Sequence, residues 1–163
     1  MKVERVNYQR QSDRKALVSL LNAYAMDPLG GGTALSDEVQ QRLCDELLRV
    51  PGACSFIVWS ESQQDPRALG LINAFPGFST FAAKPLMNIH DVFVTPDARG
   101  TGVLQLLFEA VEQHARSLGC CKITLEVLDA NHRARAAYRR QGFKGYDLGE
   151  EGGEALFWQK KLV

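Results

Sequence analysis

The stretch from Val94 to Val103, VTPDARGTGV, is the strongest indication of how this chain folds. An apolar, β-prone run from Ile89 to Val94 leads into it, and a pattern with apolar residues at spacings of three and four comes after it, as in a helix. The first N–H groups of a helix have no partner within it, and the helix dipole adds partial positive charge there. Glycine lets the backbone close around an anion, and Arg99 adds a permanent positive charge. The stretch therefore predicts a phosphate-binding turn, the alternative being an ordinary strand-to-helix turn.

Two common phosphate motifs are excluded. A dinucleotide fingerprint requires a third glycine where this chain has Gln105, and a P-loop requires Gly-Lys followed by Ser or Thr. After the turn, the sequence continues with a long amphipathic helix, a strand from Lys122 to Val127, and the segment Asn131–Phe143, NHRARAAYRRQGF.

From about Ile89 to Phe143, this succession resembles the acetyl-CoA-binding half of the GNAT N-acyltransferase superfamily. The resemblance implies an α/β (α+β) fold in the order β-α-α-β-β-β-α-β-α-β-β, formed by residues 1–163 as a single domain. It implies a mixed, largely antiparallel sheet of six to seven strands, splayed in the middle and flanked by about four helices. The last two strands are expected around Glu150–Gly153, the second from Ala155 to Lys160.

The N-terminal half carries its own signals. Val3–Tyr8 reads as a strand, Ser12 is expected to cap a first helix, and Ser36 a second one that ends at Pro51-Gly52. Two further strand-like runs, Ser55–Ser60 and Ala68–Phe75, predict a hairpin.

Composition fits one globular enzyme domain. Of 163 residues, 45% are hydrophobic and 23% charged, and nineteen acidic residues balance nineteen basic ones. This balance argues against nucleic-acid and membrane-surface binding, which both favour a basic excess. No apolar run approaches the roughly 20 residues that cross a bilayer. The N-terminus is too polar for a signal peptide, so a cytoplasmic location is expected.

The four cysteines predict no metal site, because they form no CxxC pair and no zinc-like spacing with histidine. The neighbours Cys120 and Cys121 are expected to be reduced and at least partly buried. A catalytic cysteine is the alternative, but no His or carboxylate stands beside either residue in the sequence.

The resemblance implies acetyl-CoA as co-substrate. Its pyrophosphate is expected on backbone N–H groups of the turn, and its pantetheine arm between the strand before the turn and the strand after the helix. Leu104 departs from the family pattern, which has Gly or Ala there. The residues expected to bind the cofactor are Val92, Phe93, Val94, Arg99, Gly100, Thr101, Gly102, Val103, Leu104 and Asn131.

Tyr138 is the candidate acid. By the resemblance, it occupies the position of a tyrosine that protonates the departing CoA thiolate. A phenol is neutral at pH 7 and can donate a proton. The alternative is a tyrosine that packs its ring in the core. Asn131 is also placed to cap the helix that carries Tyr138.

His90 and Asp91 are candidates for the base, because a protonated amine must lose a proton before it attacks a thioester. Adjacent strand residues face opposite ways, so both reach one site only if a bulge intervenes. The alternative for His90 is a structural, hydrogen-bonded histidine.

A narrower resemblance concerns the acceptor. Phe78–Phe81, FSTF, and Asn88–Val94, NIHDVFV, are similar to the branch containing diamine and spermidine/spermine acetyltransferases, with His90 standing where those enzymes carry an acidic residue. By position in the family, Asp27, Phe78 and Phe81 are the expected acceptor-binding residues.

The resulting hypothesis is an N-acetyltransferase that acts on a primary amine of a small molecule by direct attack in a ternary complex. Two alternatives stay open: a GNAT-fold module that binds acyl-CoA without turnover, and an enzyme that acetylates protein lysines or N-termini. The resemblance also implies a homodimer.

Overall fold

A computed structural model describes residues 1–62, 64–146 and 156–162. Its elements have the order expected from the sequence as far as the last helix. They are β1 Lys2–Arg5, α1 Gln11–Met26, α2 Asp37–Arg49, β2 Cys54–Trp59, β3 Ala68–Ser79, β4 Lys84–Val94, a 3-10 turn Pro96–Ala98, α3 Val103–Ser117, β5 Ile123–Leu125 and α4 His132–Arg140.

The described strands form one mixed sheet in the order β1-β2-β3-β4-β5. Neighbours pair antiparallel except β4 and β5, which are parallel, so the mixed, largely antiparallel architecture is confirmed. Two strands were expected after Phe143. The first of them falls on residues 147–155, which lie outside the described part of the chain. Residues 156–160 are described and are exposed and irregular, so the second expected strand is not observed there.

The two helix starts in the N-terminal half differ from each other. The Ser36 side chain accepts from the Val39 N–H at 3.3 Å and caps α2, as predicted. The Ser12 cap is wrong, because α1 begins at Gln11 and Arg10 takes the cap position without a side-chain cap bond. Asp13 stabilises the start of α1 instead. Its buried carboxylate accepts hydrogen bonds from the Asn7 N–H at 2.8 Å and from the guanidinium of Arg10.

One face of the sheet packs against α1 and α2, and the other packs against α3. The first core joins helix, strand and loop residues: Val6, Tyr8, Leu17, Leu20, Cys44, Leu47, Ile57, Leu71 and Phe93. On the opposite face, a Cβ added at Gly70 would lie 2.7 Å from Val103 Cγ1 and 2.9 Å from the Phe93 carbonyl oxygen. Gly70 therefore lets α3 approach the sheet closely.

The chain divides into two compact units, Met1–Leu125 and Glu126–Val163. The first contains the described sheet with α1, α2 and α3, and the second contains α4. Among the described residues, none of the helices is both long and apolar enough to cross a membrane.

Candidate active site

A β-bulge in β4 lies at the predicted base. Asn73 of β3 pairs with Asp91, but the next residue, Ala74, pairs with Ile89, so His90 is the extra residue. A bulge of this kind interrupts the alternation of side chains along the strand. The condition under which His90 and Asp91 reach the same site is therefore met.

Contacts with β3 show that both side chains lie on one face. The Asp91 Oδ2 accepts from Asn73 Nδ2 at 2.9 Å, and the His90 ring stands edge-on to the Phe75 ring at 5.7 Å. Asn73 and Phe75 are two residues apart in β3 and share a face. This is the face that packs against α1. His90 is exposed and Asp91 is half-buried, so both are accessible to a ligand.

The end of α1 brings a second carboxylate to this face. Tyr24 packs its ring against Phe93, with ring centroids 6.0 Å apart. Burial raises the pKa of Tyr24, and the charges of Asp91 and Asp27 raise it further. Two carboxylates, one from β4 and one from the C-terminus of α1, thus act on the same hydroxyl. Such a pair attracts cationic groups.

Beyond the bulge, β4 runs on without β5. The parallel pairing ends at Ile89 and Leu125, where β5 itself ends, whereas β4 continues to Val94. Thr95 N–H donates to the Leu69 carbonyl at 2.9 Å, which fixes the alternation of the antiparallel ladder. With this alternation, the N–H of Phe93 is directed to β3 and the N–H of Val92 to the opposite edge of β4. β4 has no pairing with β5 along this part of the edge, so the Val92 N–H is a candidate for polarising a thioester carbonyl.

The glycine turn has the geometry of an anion-binding helix start. Gly100 and Gly102 have φ values of 82° and 94°, a left-handed region that favours glycine. Gly102 is the N-cap of α3, provides no side-chain cap bond, and no acidic residue stands in the first turn. The N–H groups of this first turn lack intrahelical partners. Leu104 is half-buried here, and its backbone N–H belongs to the group.

Arg99 does more than add charge to this turn. Its Nε donates to the Val94 carbonyl at 3.2 Å, and its Nη2 donates to Asp27 Oδ2 at 3.3 Å. The side chain thus links the glycine turn to the end of α1. The turn and Asp27 were predicted separately from the sequence, and this link was missed, since no local pattern connects residues so far apart.

The two candidates of the second unit lie on α4. Asn131 caps this helix, accepting from the Ala134 N–H at 3.1 Å, so its predicted capping role is confirmed. Tyr138 is half-buried, and its ring packs against Phe143 with centroids 6.4 Å apart. The Tyr138 ring is therefore packed against a neighbour, as the structural alternative for this residue expected in part. Its role as the acid stays a prediction.

Phe78 and Phe81 do not fill the core. Phe78 lies on the last part of β3, and Phe81 lies in the turn before β4. Their exposed fractions are 63% and 97%. Both strands extend further than the sequence patterns predicted, and this extension carries the two rings into solvent. They remain candidates for contacts with a ligand.

The cysteines do not resemble nucleophiles. Burial raises the pKa of the Cys44 and Cys54 thiols, which keeps them protonated. Cys120 is partly buried as expected, but Cys121 is exposed, because it comes after α3 at the protein surface. Across the described ranges, His, Cys, Asp and Glu form no group of three that could hold a metal ion.

Comparison with known proteins establishes the family. A sequence model described as "Acetyltransferase (GNAT) family" matches residues 17–143. The chain belongs to this family. The match covers both the glycine turn and the segment that carries Tyr138.

Two relatives of this GNAT chain are named as N-acetyltransferases. It is 30% identical over 115 residues to the thialysine N-epsilon-acetyltransferase of Bos taurus, covering 71% of this chain and 61% of the relative. It is 28% identical over 83 residues to the uncharacterized N-acetyltransferase YhfO of Bacillus subtilis, covering 51% and 56%. The matched segments thus span somewhat over half of these relatives.

Solved structures support the fold over nearly the whole chain. A probable acetyltransferase superposes with a TM-score of 0.80 at 19% identity, covering 99% of this chain and 100% of the other. An aminoglycoside acetyltransferase from an uncultured soil metagenomic sample, solved with sisomicin, gives 0.72 at 18% identity, covering 98% and 96%.

Proposed function

We propose that this protein is an N-acetyltransferase that transfers an acetyl group from acetyl-CoA to a primary amine of a small molecule, within one ternary complex and one domain. The observation that carries the proposal is the bulge at His90. It places an imidazole and a carboxylate on one face of β4, directly before the stretch of strand that continues beyond β5.

The glycine turn supplies the proposed cofactor site. The pyrophosphate of acetyl-CoA would accept hydrogen bonds from backbone N–H groups of the turn and the start of α3. The pantetheine arm would lie along the β4 edge from Val92 to Val94, where the Val92 N–H faces outward. The family resemblance adds Asn131 as a residue that binds this arm. Phe93 would support the arm indirectly, since its side chain is buried and its N–H is directed to β3.

The proposed reaction needs one base and one acid. His90 takes one proton from the ammonium group and passes it to solvent, and the neutral amine attacks the thioester carbon while the Val92 N–H stabilises the oxyanion. The tetrahedral intermediate collapses and the C–S bond breaks, and in the role that the family resemblance implies, Tyr138 gives its proton to the sulfur. The nitrogen then loses its second proton, which restores the Tyr138 phenol through solvent and leaves the neutral amide. Holding both substrates in place supplies much of the rate acceleration.

The proposed acceptor is a cationic small amine. Asp91 supplies a carboxylate on the same face as His90, and Asp27, which also pairs with Arg99, adds a second negative charge near Tyr24. The thialysine and aminoglycoside enzymes among the relatives and structural neighbours act on molecules that carry more than one amine. Diamines and polyamines fit the same chemistry, as the narrower sequence resemblance suggests.

Phe78 and Phe81 enter the proposal as an outer contact surface for long acceptors. Phe78 pairs with Pro85, which precedes His90 by about 17 Å of extended strand. A short diamine does not span this distance.

A cytoplasmic location and a homodimer are also part of the proposal.

The test is release of free thiol from acetyl-CoA with spermidine, thialysine, sisomicin, amino acids and a lysine peptide as acceptors, using the wild type, Tyr138→Phe and His90→Gln. We expect turnover with one amine class and a loss of about 100-fold in either variant. Tight binding of acetyl-CoA without turnover would favour the binding module. Turnover with the peptide alone would favour a protein acetyltransferase.

A further inference from the structure

A line of buried polar side chains crosses the sheet and ends at Asp91. The Tyr8 hydroxyl contacts Ser55 Oγ at 2.8 Å, and Ser55 Oγ donates to Asn73 Oδ1 at 2.6 Å. Asn73 Nδ2 in turn donates to Asp91 Oδ2 at 2.9 Å. Ser55, Asn73 and Asp91 are direct cross-strand partners on β2, β3 and β4. The row therefore links the loop after β1 to the acceptor side of the site.

The chemistry of the four groups fixes the direction of every bond. A carboxylate only accepts, so the Asn73 amide must present its NH₂ group to Asp91 and its oxygen to Ser55. The serine hydroxyl has one hydrogen, which it gives to that oxygen, so Tyr8 must donate to Ser55. Every donor in the row thus points toward Asp91, and the last of them, the Asn73 amide, donates to one oxygen of the Asp91 carboxylate.

The burial of this row is hard to explain by stability alone. Ser55 is 1% exposed and Asn73 is 2% exposed, and both interrupt otherwise apolar strands. Buried polar groups require hydrogen-bond partners, and replacing both partners with apolar groups is often nearly neutral. Burial also raises the pKa of Tyr8, so its phenol remains a donor. An apolar row would fill the same space, but it would leave Asp91 without its donor.

We propose that Tyr8, Ser55 and Asn73 are positioning residues that orient the Asp91 carboxylate toward the acceptor amine. This inference rests on the proposed function, in which Asp91 faces the acceptor. The three residues touch no substrate and act through Asp91 only.

The first test compares Tyr8→Phe, Ser55→Ala and Asn73→Ala with Cys54→Ala. Cys54 is the matched control, since it is the neighbour of Ser55 on β2, is equally buried, and faces the other side of the sheet. We expect kcat/KM for the acceptor to fall by about 10-fold in the row variants, with an unchanged Kd for acetyl-CoA. Cys54→Ala should lose thermal stability but keep its kcat/KM. Equal losses in all four variants would overturn the proposal.

A double-mutant cycle separates positioning from general packing. In an Asp91→Ala background, Ser55→Ala should cause no further loss of kcat/KM, because the residue through which it acts is already gone. Additive losses would overturn the proposal.

A measurement without turnover distinguishes this inference from the proposed function. The ¹³C carboxyl resonance of Asp91 should move in Ser55→Ala and Tyr8→Phe and stay in place in Cys54→Ala. An unmoved resonance in the row variants overturns the positioning role, even in an active enzyme. If the protein acetylates none of the amines tested but the Asp91 resonance still moves in the row variants, the proposed function is contradicted while the effect of the row on Asp91 is supported.

Discussion

Arg99 and Asp27 form an ion pair that joins the glycine turn to the end of α1. The guanidinium donates to Asp27 at 3.3 Å and also to the Val94 carbonyl at 3.2 Å. Asp27 is itself engaged in the loop after α1, where its carboxylate accepts from the Leu29 N–H at 3.0 Å and its carbonyl from the Gly30 N–H at 2.7 Å. The two proposed substrate sites are therefore connected through one arginine.

The first prediction concerns this pair. Arg99→Ala should raise both the Kd for acetyl-CoA and the KM for the acceptor, each by about 3- to 10-fold, because the pair is partly shielded from solvent and holds both loops. The control is Arg67→Ala, which removes an exposed ion pair to Asp97 in the same turn. Exposed pairs contribute little, so this variant should behave as wild type. An effect of Arg99→Ala on only one substrate would contradict the coupling.

The sequence predicted the elements that local patterns encode. The strand, glycine turn and helix around Arg99 could be predicted from apolar periodicity and from residues that favour turns, and Ser36 and Asn131 cap helices as their types predict. The prediction that Ser12 caps α1 was wrong. The helix begins one residue earlier, and the carboxylate of Asp13 accepts hydrogen bonds from the Asn7 N–H and from Arg10.

The features that the sequence left open depend on register and on distant contacts. Whether His90 and Asp91 share a face was decided by a bulge, which has no local signature in NIHDVFV. The Asn73 and Ser55 row was missed, although a polar residue within an apolar strand is a signal that could have found it. The packing of α3 on Gly70 likewise appears only in three dimensions.

The second prediction tests the approach of α3 to the sheet. Gly70→Ala places a methyl group 2.7 Å from Val103 Cγ1 and 2.9 Å from a backbone oxygen, so the helix must shift. We expect a loss of about 1–3 kcal/mol in the free energy of unfolding, measured by urea denaturation. Gly77→Ala on the same strand is the control, since its methyl would meet only the flexible Leu86 side chain. Equal losses would show that helix packing is not the cause.

The third prediction concerns pH and stability. Burial lowers the pKa of His114, and the charge of Arg5 lowers it further. Below an unfolded-state pKa of about 6.5, the unfolded chain binds a proton that the folded chain resists, so stability is lost as pH falls through the folded-state value. Between pH 7.5 and 5, Tm should fall less in His114→Gln than in wild type. The exposed His132 provides the control, because His132→Gln should keep the wild-type slope.

The last prediction concerns Leu104, where the chain departs from the family pattern. If the backbone N–H is the phosphate ligand, Leu104→Ala should change the Kd for acetyl-CoA by less than about 3-fold. Leu104→Glu places a carboxylate at the positive end of α3, so it should have a slightly higher Tm than the isosteric Leu104→Gln while it raises the Kd by about 10-fold over that variant through repulsion of the pyrophosphate. Isothermal titration and thermal denaturation measure the two effects. Opposite directions in Tm and affinity identify the helix start as the anion site, whereas an unchanged affinity would place the pyrophosphate elsewhere.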